Sequence, residues 1–316
     1  MLAQDLAVPW GIAFLPNGNA LVGERISGDL HRVSRTGGRT RVGTVGHIRD
    51  DAGEGGLLGL ALHPRFTENR WLYAYISTAS DNRVVRMRYA DGRLGRQQVV
   101  LAGIPTAANH NGGRLAFDAE GLLFASTGDA MQGQLAQDTG SLAGKILRMT
   151  PTGGVPDGNP YRNHTWSYGH RNVEGLAFDG SGRLWASELG QDTRDELNRI
   201  VKGANYGWPV VEGGDGPGGK FHDPFVTWQP TGTCSPSGVA VARGKAWVGA
   251  LRGECLYSVR LSGPHRKRVR RWFAGDFGRI RTVQKAPDGA LWVTTSNRDG
   301  RGSPGRHDDK VIRILL

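Results

Sequence analysis

The sequence predicts an all-β protein: a six-bladed β-propeller of four-stranded antiparallel blades, with residues 1–316 forming one domain. One phrase recurs six times along the chain: an apolar alternating run, a tight glycine turn, a second strand-like run, a loop and a third short run. Repeats of roughly 40 to 60 residues built from short strands are the mark of a propeller, whose blades bury their faces only against neighbouring blades. Aromatic and β-branched residues fall in short alternating runs, glycine is abundant at 49 residues, and no segment sustains an apolar spacing of three and four. Helices are therefore expected to be few and short. The chain ends on what reads as the third strand of the sixth copy, and residues 2–6 have the alternation to supply the missing fourth. Closing the last blade with the N-terminal segment removes two exposed sheet edges.

The first copy comprises residues 11–14, an Asn17-Gly18 turn, then 20–22 and 29–33. The second has 59–62, 71–75 and 84–87; the third runs from 114–117 through Glu120-Gly121 to 122–125 and closes at 145–148. The fourth is 175–178, 183–186 and 196–200, and the fifth is 238–241, 246–248 and 255–259. In the sixth, 282–284 leads through Asp288-Gly289 to 291–293 and 311–314. Asn-Gly and Asp-Gly pairs suit these tight turns because both residue types tolerate positive φ.

Forty Lys and Arg against 29 Asp and Glu give a net charge of +11, which favours anionic ligands or surfaces. The densest basic run, 265–271, reads as a solvated outer strand whose charges protect a sheet edge. Nucleic acid is not expected, since no recognition helix or aromatic stacking motif accompanies that run. No stretch of 18 apolar residues predicts a membrane span, and Met1 opens no charged-then-apolar signal peptide, so the chain reads as soluble. Cys234 and Cys255 flank the first and third strands of blade five and fit either one disulfide in an oxidising compartment or two buried thiols. The glycine-rich run 214–219 matches a dinucleotide pattern by letter but is interrupted by proline and lacks a following helix, so it reads as a loop.

In a propeller, residues just before each inner strand share one mouth of the channel with the loops that follow the second strands. The unusual residues of this chain collect there. Before inner strands come 54–56, 110–113, 170–172, 235–237 and 279–281; after second strands come 127–129, 188–192 and 250–252. A histidine, a carboxylate and several arginines on one rim suit an anionic, polar ligand.

Several longer motifs agree at once: Gly-His-Arg-Asn at 169–172, Leu-Gly-Gln with Asp-Glu-Leu-Asn over 189–198, Gly-Ala-Asn-Tyr-Gly-Trp-Pro at 203–209, His-x-x-Gly-Arg-Leu at 110–115 and Arg-x-Arg at 279–281. Together, and in order over nearly the whole chain, they resemble the soluble quinoprotein aldose (glucose) dehydrogenases. The resemblance implies a propeller that uses pyrroloquinoline quinone (PQQ) and calcium (Ca2+) to oxidise the anomeric hydroxyl of aldoses to lactones. It makes His110 the general base, Asp129 the carboxylate that orients it, and Arg171 a third catalytic group. Arg171, Asn172, Ser237, Arg252, Arg279 and Arg281 would hold PQQ, and Glu54, His110 and Asp129 would contact substrate. The carbonyls of Gly190 and Gln191 would carry the calcium beside PQQ, with a second, structural calcium at Glu196 and the Tyr206 carbonyl. It further implies an external electron acceptor of unknown identity, a monomer or homodimer, and a periplasmic or secreted location.

Three departures from the family pattern bear on substrate. Glu54 stands where glucose-oxidising members have Gln, Arg252 replaces a Lys, and Ser235 takes a place where some members stack a Trp, which predicts a more open mouth. A calcium-dependent lactone hydrolase and a binding propeller without catalysis are the competing functions on such a scaffold. The arginines discriminate, because a hydrolase needs a metal and a base, whereas a multiply anionic cofactor explains four arginines on one rim.

Overall fold

A computed structural model of the chain describes residues 1–49, 53–214 and 218–316; residues 215–217 of the glycine-rich loop lie outside the described residues. The six predicted blades are all present. Blade one is Pro9–Phe14, Ala20–Glu24, Asp29–Val33 and Arg39–Thr44, each strand antiparallel to the next. Blade three (Leu115–Phe117, Leu123–Ser126, Lys145–Met149, Thr165–Tyr168), blade four (Val173–Phe178, Leu184–Glu188, Asp195–Ile200, Val226–Trp228) and blade five (Pro236–Ala242, Lys245–Ala250, Cys255–Arg260, Val269–Trp272) repeat that meander. Among the described residues, helix is confined to Phe66–Asn69 and two single turns of 3-10 helix, Gly133–Ala136 and Thr231–Thr233.

Blade two departs from the four-strand count. After Leu57–Leu62, Trp71–Ser77 and the long third strand Asn82–Ala90, the outer edge is shared between Arg93–Leu94 and Gln98–Ile104. The extra pairing is a hairpin turned by Asp91 and Gly92, both at positive φ (51° and 74°), the geometry that matches the twist of flanking strands.

Blade six has three strands of its own, Ile280–Lys285, Leu291–Thr295 and Val311–Ile314. As expected, the N-terminus completes it. Ala3 pairs antiparallel with Val311, and reciprocal backbone bonds join Leu6 to Asp309. Leu2, Ala3 and Leu6 are buried there with Trp292 and blade-one residues Ile12, Ala20 and Val22.

Among the described residues the apolar interior is six clusters rather than one core, each shared by adjacent blades, with the cluster between blades two and three also taking Trp10 of blade one. The contact of Phe14 with Trp292 across the closure, edge to face at 5.0 Å, is typical. Each large side chain buried this way contributes roughly 1.5–3 kcal/mol, so stability is distributed around the ring. Cys234 and Cys255 are free, buried thiols in the cluster between blades four and five. The basic run is exposed as expected, but only part of it is strand: His265, Arg266 and Lys267 lie in the preceding turn, Arg268 just before the strand, and Arg270 and Arg271 on the outer strand of blade five. No helix among the described residues is long and apolar enough to cross a membrane.

Two features of the inner strands shape the channel. The repeated phrase opens with Gly11, Gly59, Gly175 and Gly238 in four blades, where a Cβ would collide with the backbone of the next inner strand: 2.5 Å from Leu58 O at Gly11, and 2.5 Å from Ser237 O at Gly175. In blades three and six the same position holds Arg114 and Thr282. The Arg114 guanidinium crosses the channel, stacks on Trp10 with its Cζ 3.9 Å from the ring centroid, and donates to Glu174 O (2.8 Å) and Thr282 Oγ1 (3.2 Å). Burial pulls its pKa down to about 9. The second feature is a register shift near the rim end of the inner strands of blades one, two, four, five and six. A bulge re-aims side chains, and three of the residues released in this way are Glu174, Ser237 and Arg281.

Candidate active site at one mouth of the channel

His110 lies in the loop before blade three, with its backbone in the left-handed region (φ 59°) that non-glycine residues occupy only when the surroundings hold them there. Its amide donates to Glu54 Oε2 (2.9 Å), and its carbonyl accepts from the Ala130 amide (3.2 Å). The imidazole Nδ1 is 2.8 Å from Asp129 Oδ1. A carboxylate only accepts, so Nδ1 carries the proton and Nε2 is left with its lone pair. Asp129 is itself fixed, since Oδ1 also takes the Met131 amide and Oδ2 takes the Trp208 indole N–H, each at 2.8 Å. The result is a histidine in one tautomer, aimed by a buried acid, able to take a proton at Nε2.

Arg171 reaches the same mouth from the loop before blade four. Its Nε and Nη2 both donate to Gln191 Oε1, and its guanidinium carbon lies 5.4 Å from the centroid of Trp208. Thus Trp208 touches both the acid and the arginine. Glu54 is committed on both oxygens, Oε2 to the His110 amide and Oε1 to Arg301 Nη1 at 2.5 Å. Burial would raise the pKa of Glu54, but the His110 amide and Arg301 outweigh it and hold the group below the usual carboxylate range. The second Arg301 amine donates to Asn109 Oδ1 (2.8 Å), so this arginine straps blade six to the loop that carries His110.

Arg279 and Arg281 converge on Asp299 Oδ2, at 2.9 and 3.0 Å, and Arg281 also pairs with Glu174 at 2.8 Å. Ser237 donates to that same Glu174 oxygen, and Asn172 Oδ1 accepts the Gly112 amide. Ser235 is buried, its amide on Asp195 Oδ2. Arg252 is exposed and has no hydrogen bond or ion pair among the described residues.

At the expected cation positions, the amides of Gln191, Asp192, Thr193 and Arg194 all donate to Glu212 Oε1 at 2.7–3.1 Å. Amide and preceding carbonyl point oppositely across a planar trans peptide. The Gly190 and Gln191 carbonyls are therefore turned away from Glu212. Glu196 is buried and lies cross-strand from Glu188, with Asn198 Nδ2 on both. Burial, then the Glu188 charge, pushes its pKa up to about 8, and Asn198 Oδ1 beside it is buried without a partner. The Tyr206 ring stacks on His170 at 4.6 Å, and its hydroxyl donates to Arg199 O.

Sequence reasoning passed over Arg25, Trp208, Asp299 and Arg301. Arg25 directly follows the second strand of blade one, and Asp299 follows that of blade six, the place that Arg252 holds in blade five. Applying the rim pattern to all six blades would have found both. Trp208 had only its place in the 203–209 motif, and its contact with Asp129 spans 79 residues. A cavity of about 420 Å³, lined by Arg25, Glu54, Asn109, Arg281, Asp299 and Arg301 among others, opens beside the His110 loop.

The glucose/sorbosone dehydrogenase family model matches residues 6–311. The PQQ-bound form of aldose sugar dehydrogenase from Streptomyces coelicolor superposes with a TM-score of 0.94 at 47% identity, over 99% of this chain and 95% of that one. Aldose sugar dehydrogenase YliI of Escherichia coli is 30% identical over 95% of this chain and 90% of its own length. Quinoprotein glucose dehydrogenase B of Acinetobacter calcoaceticus is 33% identical over 67% of this chain and 52% of its own.

Proposed function

This chain belongs to the glucose/sorbosone dehydrogenase family, and from that premise we propose that it is a quinoprotein oxidoreductase that oxidises the C1 hydroxyl of aldose sugars to lactones, using PQQ and calcium. The observation that carries the reading is the 2.8 Å His110–Asp129 couple set in a mouth ringed by arginines. When bound, PQQ supplies a two-electron acceptor for the C1 hydride and calcium a Lewis acid that polarises it. His110 Nε2 takes the hydroxyl proton while Nδ1–H stays on Asp129, whose charge stabilises the imidazolium. Trp208 and the Met131 amide keep that carboxylate from turning away.

The residues present fit a planar tricarboxylate. We assign Arg171, Arg252, Arg279 and Arg281 to its carboxylate and quinone oxygens, with Asn172 and Ser237 as hydrogen-bonding partners; among the described residues Arg252 has its fork uncommitted, while Arg171 is on Gln191 and Arg279 and Arg281 are on Asp299 and Glu174 and would have to share or exchange those bonds. A buried guanidinium nitrogen without a partner, Arg25 Nε, lines the mouth, as a site for an anion would have. We assign one hard cation to the Gly190 and Gln191 carbonyls, which face away from Glu212, and a second to Glu196 and the Tyr206 carbonyl, with the unpartnered Asn198 oxygen beside Glu196. Glu54, His110 and Asp129 border the space left for sugar. Because Glu54 is tied to Arg301, a sugar hydroxyl there meets an ionised pair rather than a neutral amide. We further place the enzyme in the periplasm or outside the cell, as one domain, monomeric or homodimeric, passing electrons to an external acceptor.

The test is dye reduction by the purified chain with aldoses, with and without added PQQ and calcium. Turnover is expected only when both are added. No gain on reconstitution would overturn the reading in favour of a hydrolase or a binding protein.

A further inference from the structure

Arg25 differs from every other buried arginine at this mouth. Its side chain is 5% exposed, its Nε is buried without a partner, and among the described residues its guanidinium makes no hydrogen bond or ion pair. Arg279 and Arg281 share Asp299, and Arg281 has Glu174 as well. Those two carboxylates are taken by those two arginines and Glu54 by Arg301, so Arg25 is left without a carboxylate of its own. Burial first and the Arg281 cation second pull the Arg25 pKa down to about 10, although the nearby charges of Asp299, Glu174 and Glu54 act the other way without pairing with it. An unpaired buried cation is costly to a folded protein. The position is also held firmly. The Arg25 amide bonds to Val8 O, its carbonyl takes the Leu57 amide, and its Cγ would lie 2.9 Å from a Cβ at Gly56, where only glycine stands. Backbone and stem are thus fixed by blades one and two while the guanidinium faces the 420 Å³ cavity beside Glu54 and Asn109.

We propose that Arg25 is a carboxylate-binding residue of the mouth, taking an anionic group of a bound ligand as the partner that the protein itself does not provide. A carboxylate can come from two sources here, the cofactor or an acidic sugar such as a uronic acid, and both present the same planar pair of oxygens to a guanidinium fork. The inference rests on the quinoprotein reading, since that reading supplies both ligands.

The experiment compares wild type, Arg25→Met and Arg25→Lys in three measurements: melting of the ligand-free protein, PQQ titration by absorbance in calcium buffer, and kinetics with glucose against glucuronate. Loss of an unpaired buried charge should leave the melting temperature of Arg25→Met equal to or above that of wild type. A melting temperature clearly below it would mean the guanidinium has a protein partner, which overturns the proposal. If the cofactor provides the carboxylate, PQQ affinity falls by about tenfold or more in Arg25→Met. Arg25→Lys, which keeps charge but not the fork, should fall between. If the sugar provides it, PQQ affinity holds and KM rises for glucuronate but not glucose. Unchanged PQQ affinity together with unchanged KM for both sugars overturns the proposal while leaving the family reading intact. A wild-type protein that binds no PQQ overturns both.

Discussion

The two mouths of the channel are made by the same six inner strands and share almost no chemistry. At one end Ile12, Phe14, Leu60, Leu62, Leu115 and Phe117, with their counterparts in the other blades, line a cavity of about 680 Å³. There the repeated phrase is kept. At the other end the phrase is broken blade by blade: bulges release Glu174, Ser237 and Arg281, loops supply His110, Asp129 and Arg171, and a different polar residue comes from each blade. Between the ends, Arg114 and Thr282 stand where the other blades have glycine and close the throat. The difference teaches that repetition specifies the scaffold and that departures from repetition specify the site. The larger cavity, at the regular end, is lined mostly by apolar side chains, and the carboxylate there, Asp179, is committed to Arg183 and Trp185.

The largest effect that could break this comparison is on turnover. His110→Asn keeps a polar, hydrogen-bonding side chain but loses the basic nitrogen, so kcat should fall by about 10² to 10⁴ fold with cofactor affinity nearly intact. A matched change at the regular mouth, Phe117→Leu, should leave kcat within about twofold of wild type, since it touches no reacting group. Steady-state kinetics on both variants, reconstituted alike, checks the pair. Near-normal turnover in His110→Asn would remove His110 from the mechanism.

Next comes stability at the broken end. Arg281→Met would leave Glu174 without its arginine and Asp299 with Arg279 alone, and both carboxylates are buried. Stripping one partner from a buried ion pair costs about 3–5 kcal/mol, so denaturant unfolding of the ligand-free protein should show a loss of that order. An unchanged midpoint would mean that these carboxylates are hydrated or protonated rather than paired.

In the throat between the two mouths the expected penalty is steric. In Gly175→Ala the new methyl would meet Ser187 Oγ and lie 2.5 Å from Ser237 O, so the contact between blades four and five must open. Overpacking of this kind typically costs about 1–3 kcal/mol. Thermal unfolding measures it. A variant as stable as wild type would show that the inner strands can part without loss, and that glycine at the head of the phrase is not what allows blades to approach.

The same contrast explains how much could be read beforehand. Blades, their strands and the closure by residues 2–6 were legible because each is written in local alternation and turn residues. The extra strand Arg93–Leu94 in blade two was missed although Asp91-Gly92 announces its turn, since a two-residue strand carries no period. His110, Asp129 and Arg171 come together as the motifs imply. The identity of their partners was not legible. Asp299 meets Arg281 across 18 residues and Glu174 meets it across 107, and Trp208 reaches Asp129 across 79. Pairing at such separations depends on ring closure and bulge geometry, for which a single chain has no local signal. Arg25 shows a further limit. Its place in the repeat is visible, but its lack of a partner among the described residues is a property of the assembled mouth.

The smallest expected effect tests whether placement or net charge governs the mouth. The chain carries +11, and a dense share of that charge lies on and just before the outer strand of blade five, where Arg268 and Arg270 are exposed. If the excess charge as a whole attracts the anionic ligand, removing two charges anywhere should weaken binding. If the contacts at the mouth hold it, an outer strand is irrelevant, because exposed charges are screened over about 8 Å at physiological ionic strength. The double variant Arg268→Gln, Arg270→Gln should therefore unfold within about 0.5 kcal/mol of wild type. Its PQQ affinity in calcium buffer at physiological salt should be unchanged. A small slowing of association is expected at low salt alone, where steering reaches further. A loss of affinity at physiological salt as large as that of Arg25→Met would mean that the overall field, and not the broken phrase at one mouth, selects the ligand.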